Sequence, residues 1–183
     1  MSDDSSKIYW DPKIELKLEN FQGEPDPNDS HDAKTRSELE YYFANKNAKS
    51  KSRNKIKIVK IQVNAYFVPS QSWIRKEKLN DTNLPIILKH EQGHFDIAQQ
   101  VSQNIQVKMN NTFQNRTLTC KGETNEEKSN SVKPLLQKKF DELAKEAKRL
   151  NQKYDSDTNF GTNISMQNWY NNSFSKFREN FRS

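Results

Sequence analysis

Cysteine is almost missing from this chain: Cys120 is its only one in 183 residues, so no disulfide can form within it and a disulfide-stapled scaffold is excluded. Hydrophobic residues are also scarce. They make up 32% of the chain against 30% charged, with a mean hydropathy of -1.13. The apolar side chains must therefore be gathered into patterned segments if they are to enclose a core. No apolar run is long enough to cross a membrane. The opening "MSDDSSKIYW" has neither the basic nor the apolar region of an export signal, so none is expected in the chain as given, although a trimmed chain would read the same.

Acidic residues are outnumbered, 24 to 30, which leaves a net charge of +6 and permits binding to nucleic acid or anionic surfaces. The lysines are spread widely, however. Their densest run, "KNAKSKSRNKIKIVK", reads as a solvated hairpin tip feeding a strand, so nucleic acid is not the favoured partner. Cys120 has no histidine near it in sequence and reads as a small buried residue rather than a nucleophile. The sequence does not indicate an oligomeric state.

The pattern along the chain predicts an α+β fold of one domain, residues 13–170, with a polar arm at 1–12 and a tail at 171–183. Ile14, Leu16 and Leu18 alternate with charged residues, which predicts a half-buried strand; "FQGEPDPNDS" follows as a loop. Thr35 to Phe43 and Lys55 to Val68 are expected to form further strands around a charged loop at 44–54. The adjacent Ile58 and Val59 shift the phase of the second strand, as a bulge would. Trp73 is expected in the core or a cleft wall.

A long helix then starts near Asn83, a candidate cap, with Pro85 in its first turn. Ile87, Glu91, His94, Ala98, Val101 and Ile105 lie along one face, and the helix fades between Met109 and Asn115. After a polar connection at 116–130, Pro134 is expected to open a second helix that ends near Tyr154. The segment "YDSDTNFGTN" reads as a loop and "ISMQNWYNNSFSKF" as a terminal helix.

The chemistry concentrates in "LKHEQGHFDIA", which holds two of the three histidines four residues apart. On a helix such residues share a face about one turn apart, so the imidazoles of His90 and His94 can converge on one ion. Glu91, rotated about 100° from the first of them, points to the space beside that ion, where a water would sit. Two helix-borne nitrogens, a third ligand from elsewhere and a proton-accepting carboxylate are what a zinc-dependent hydrolase of amide bonds needs. Spacing alone also allows a polar face on an ordinary amphipathic helix.

The same stretch resembles the helix of an uncharacterised microbial family described as zinc-dependent proteases, which reads H-E-Q-G-H-F-D-I-A. "ENFQGEPDP", "AKTRSEL", "VNAYFVPSQSW" and "YDSDTNFGTNISMQNW" are similar to further segments of that family, so the likeness runs from about Ile14 to Trp169. It implies a zincin-like fold, zinc as cofactor, His90 and His94 as ligands, Glu91 as general base, and a peptide or protein as substrate. Asp96 would orient an imidazole or a turn.

One position departs from the family: Phe160 stands where its pattern has a histidine. Asp155, 61 positions after His94 (155 minus 94), matches the family's aspartate and is the preferred third ligand. Asp157, Glu123, Glu126 and Glu127 are weaker candidates. His31 reads as a solvated loop residue, Tyr154 as a packing residue or an oxyanion donor, and Phe160 as filling the space of the family's histidine. A substrate strand could add to a sheet edge beside Ser72 and Trp73. The runner-up to hydrolysis is a weakened relative that binds zinc or peptide without turnover.

Overall fold

A computed structural model describes residues 7–48 and 54–181. The chain forms two compact units, one drawn from the chain up to Glu38, Ala65–Gln100 and the chain from Ala147, the other from Leu39–Asn64 and Val101–Glu146. Its elements are strands β1 (Ile8–Tyr9), β2 (Ala33–Lys34), β3 (Ser37–Asn47), β4 (Lys55–Phe67), β5 (Trp73–Ile74) and β6 (Thr117–Thr119), with helices α1 (Leu84–Phe113), α2 (Asn125–Thr158) and α3 (Ile164–Glu179). The class is α+β with small antiparallel sheets. No helix among the described residues is long and apolar enough to cross a membrane.

In the second unit, Ile56, Ile58, Ile61 and Val63 of β4 are buried, as are Val101, Ile105 and Met109 of α1 and Leu136 and Phe140 of α2. The inward phase of β4 slips between Ile58 and Ile61, where Val59 and Lys60 both face out. β6 pairs antiparallel with β4, Ile56 opposite Leu118. The helix also serves the strand: the Ile61 and Val63 amides donate to Asn110 Oδ1 at 3.1 Å and Gln106 Oε1 at 2.9 Å. Those side chains supply acceptors that a further strand would otherwise provide.

In the first unit, Leu16, Phe21, Phe67, Ile74 and Phe95 form an apolar cluster with Trp10, Ile14, Leu18, Ile87 and Leu88 packed on it. β1 pairs with the end of β4, Ile8 opposite Phe67, and β2 pairs with β5, Ala33 opposite Ile74. Residues 8–9, expected within a polar arm, are thus a strand.

The segment from Lys13 alternates inward and outward as its sequence predicts, yet it is not a strand. Its backbone is satisfied by side chains instead: the Leu16 amide donates to Gln92 Oε1 at 2.7 Å, and Arg178 Nη1 donates to the Ile14 carbonyl at 2.8 Å. Residues 171–179, placed in the tail although the terminal helix was expected to reach Phe177, continue α3 and bury Phe174 and Arg178. β3 runs on to Asn47, into the expected loop.

α2 starts well upstream of Pro134, which lies inside it. The Glu127 carboxylate accepts from the Glu123 and Thr124 amides, and the Thr124 hydroxyl accepts from the Glu127 amide. That reciprocal cap satisfies the first helical donors and fixes the start. Asn83 does not cap α1 with its side chain, which accepts from the Asn80 amide and donates to the Lys78 carbonyl.

Candidate metal centre

α1 carries His90 and His94 on one face, their ring centroids 4.9 Å apart, and the last turn of α2 brings Asp155 to both. Asp155 Oδ1 lies 3.2 Å from His90 Nε2 and 3.0 Å from His94 Nε2. The three candidate ligand atoms lie within 4.8 Å of one another.

The outer hydrogen bonds decide which ring nitrogens carry protons. Gln167 uses its amide Nε2 to donate to Tyr154 Oη at 2.7 Å and Asn171 Oδ1 at 2.9 Å, which leaves Oε1 facing His90 Nδ1 at 3.1 Å. Asn151 likewise donates from Nδ2 to the Ala147 carbonyl, leaving Oδ1 at 2.6 Å from His94 Nδ1. Both Nδ1 atoms therefore hold a proton, and in neutral rings both Nε2 atoms turn a lone pair to the carboxylate. With neutral rings, three acceptors converge with no donor among them. An oxygen and two bare imidazole nitrogens are a ligand set for a divalent ion, and the amide acceptors behind each ring fix its tautomer and orientation.

A proton between the carboxylate and an imidazole also supplies positive charge there. Burial works against a charged His94, but the Asp155 hydrogen bond and the negative charges of Glu91 and Asp155 outweigh it and raise the group above its ordinary value. Burial likewise opposes charge on Asp155, yet the two imidazoles hold its carboxyl well below the usual carboxylate range.

Two glycines let the backbone close on this site. A Cβ on Gly93 would lie 2.2 Å from Tyr154 Oη, so a side chain there would displace the ring that stacks on His90 at 4.7 Å. Gly161, at φ +84, presses on His90, where a Cβ would come within 3.2 Å of the histidine Cβ.

Glu91 is buried, and its Oε2 is one of three buried side-chain polar atoms among the described residues with no hydrogen-bond partner. A carboxylate oxygen left so needs a donor such as water. Its charge acts on His94 and, behind burial and the Gln167 hydrogen bond, on Tyr154.

Several residues take other places than the sequence suggested. Asp96 orients no imidazole: it accepts from Trp10 Nε1 at 2.7 Å and from Arg178 Nη2 at 2.6 Å and Nε at 3.0 Å. Tyr154 is fully buried and donates to the His90 carbonyl, so it is a packing residue rather than an oxyanion donor. Asp157 pairs with Lys153 and accepts from Tyr170, while Glu123, Glu126 and Glu127 are exposed at the start of α2. Ser72 and Trp73 are buried, and Trp73 pairs with Lys34 along one edge of β5. Phe160 is 53% exposed and fills no internal space. His31 is exposed in its loop, as expected, where it pairs with Asp29 and packs on Phe160.

The family described as a bacterial protein of unknown function (DUF922) matches residues 15–161 of this sequence. The chain belongs to that DUF922 family. No curated protein and no solved structure matches it. The DUF922 match takes in α1 with both histidines, Asp155 and Gly161, and stops short of Gln167 and Arg178.

Sequence reasoning missed Asn151, Gln167 and Thr158 as partners of the rings. Asn151 could have been found, since it precedes Asp155 by four on one helix and so shares its face. Gln167 lies 77 positions from His90, and no local signal joins them.

Proposed function

We propose that this chain is a zinc-dependent peptide hydrolase in which His90, His94 and Asp155 hold the ion and Glu91 is the general base. The observation that carries the reading is the convergence of both imidazole Nε2 atoms on one Asp155 oxygen, with the buried Glu91, whose Oε2 has no partner, next in sequence to His90. Two imidazoles and one carboxylate suit zinc, and iron sites use the same trio. Glu91 favours hydrolysis, because redox chemistry has no need of a buried base beside the ligands.

When bound, zinc supplies Lewis acidity and makes water a competent nucleophile near neutral pH. Glu91 takes the proton that the water gives up as it attacks the amide carbonyl, and delivers it to the nitrogen as the C–N bond breaks. Gln167 and Asn151 keep both ring Nδ1–H groups engaged, so the Nε2 lone pairs stay available. Tyr154, held between Gln167 and the His90 carbonyl, fixes the imidazole plane.

The test is cleavage of denatured casein by the purified chain after zinc loading. Proteolysis that disappears in Glu91→Gln while the zinc content stays at one per chain supports the reading. Zinc uptake with no cleavage by the unaltered chain supports instead a relative that binds without turnover.

A further inference from the structure

Phe160 occupies a place that ordinary turn chemistry would give to glycine or asparagine. Three consecutive residues, Asn159 at φ 46, Phe160 at φ 53 and Gly161 at φ 84, form a left-handed turn after α2. Asparagine and glycine adopt that backbone readily, whereas a bulky residue does so at a cost. Burial does not offset the cost, because Phe160 remains 53% exposed.

Its ring partner is His31, with centroids 4.8 Å apart. The loop that carries His31 is rigidly built. The Asp29 carboxylate accepts from both the backbone amide and ring Nδ1 of His31, and Lys34 pairs with it. Arg75 donates to the carbonyls of Asp26, Asp29 and His31 at 2.6 to 2.9 Å. Two segments distant in sequence thus hold two rings together at the surface.

The turn itself touches the ligands. The Phe160 amide donates to the Asp155 carbonyl at 3.0 Å, and Gly161 packs on His90. An exposed aromatic kept in strained backbone next to a reactive centre is a mark of function rather than folding. Resting on the peptidase reading above, we infer that Phe160 and His31 form the seat for a bulky apolar or aromatic side chain of the peptide substrate. The pair determines specificity; it does not take part in bond cleavage. An aromatic face whose solvent contact is removed by the substrate gains both apolar burial and ring stacking.

The test measures fluorescence anisotropy of labelled, acetylated hexapeptides that differ only by Phe, Leu, Ala or Glu at one central position. They are titrated with Glu91→Gln protein, with and without zinc, so that binding is read apart from turnover. The Phe and Leu peptides are expected to bind about tenfold more tightly than the Ala and Glu peptides. In the double variant with Phe160→Asn, which suits the left-handed backbone, that preference is expected to vanish while the melting temperature stays equal or rises. Equal binding of all four peptides, binding of none, or a preference that survives Phe160→Asn would overturn the inference. A preference intact in a chain that takes up no zinc or cleaves nothing counts against the hydrolase reading and leaves the seat standing.

Discussion

Asp96 lies on α1 and Asp155 is held against the side chains of that helix, yet one carboxylate is complete and the other is not. Asp96 receives a two-pronged guanidinium from Arg178 and an indole N–H from Trp10, so a fixed cation and a fixed donor come with the fold. Asp155 faces two nitrogens whose protons are committed elsewhere, to Asn151 and Gln167. The first arrangement ties α3 and the segment at 12–14 to α1, since Arg178 also binds the Pro12 and Ile14 carbonyls. On the proposed reading, the second takes its cation from outside. One is a closed structural pair and the other an open site, although each begins with an aspartate and nitrogen-bearing partners.

The largest break in this comparison is expected from the closed pair. Arg178→Met leaves Asp96 buried without its cation and should cost about 3–5 kcal/mol in chemical denaturation, while zinc stoichiometry holds in whatever fraction stays folded. A variant as stable as the unaltered chain would show the pair to be dispensable.

Gly93→Ala drives a methyl into Tyr154 and should cost about 1–3 kcal/mol from overpacking, against about 1 kcal/mol gained in helix propensity. Zinc affinity should fall with it as His90 loses its stacked support. A net gain in melting temperature would contradict the packing account.

Asp155→Asn sharpens the contrast by its sign. An amide at this position offers two N–H donors to the two Nε2 lone pairs, so zinc-free protein at about pH 9, well above the range of an ordinary imidazole, should gain about 1 kcal/mol. The same exchange at Asp96 should lose stability, because there it places donors against donors. Equal signs in urea titrations would remove the distinction drawn between the sites.

The smallest effect is expected at Asp29. The His31 amide, then its ring, lower the carboxyl from 3.8 to about 2. A carboxyl depressed in the folded state stabilises above its unfolded value and loses that contribution as pH falls. The His31 loop should therefore stay ordered down to about pH 4 and loosen between there and pH 2. Carbon-detected NMR of the Asp29 carboxyl would register a midpoint near 4 if the contacts were absent in solution.

What could be read from sequence was what a single helix encodes locally. His90, Glu91 and His94 fall within one turn, so their spacing places them without knowledge of the fold. Asp155 was legible through family resemblance and its position at a helix end, and the structure brings it to both rings. The start of α2 was written in Thr124 and Glu127 as a cap, a signal overridden by giving Pro134 too much weight.

The segment from Lys13 fails differently. Period-two alternation reports which side chains face inward and says nothing about what satisfies the backbone, and here the partners were Gln92 and Arg178. The role of Arg178 could not be found locally either, since it lies 82 positions from Asp96. Phe160 was the departure from pattern that sequence could flag but not explain, because its outward placement depends on a left-handed turn and on His31.

Isothermal titration of zinc into the purified chain, alongside Asp155→Asn, bears most directly on the claim that three convergent acceptors await a cation. The unaltered chain should take up one zinc per molecule with saturable heat, and Asp155→Asn should bind far more weakly. No uptake, or identical curves for both proteins, would contradict it.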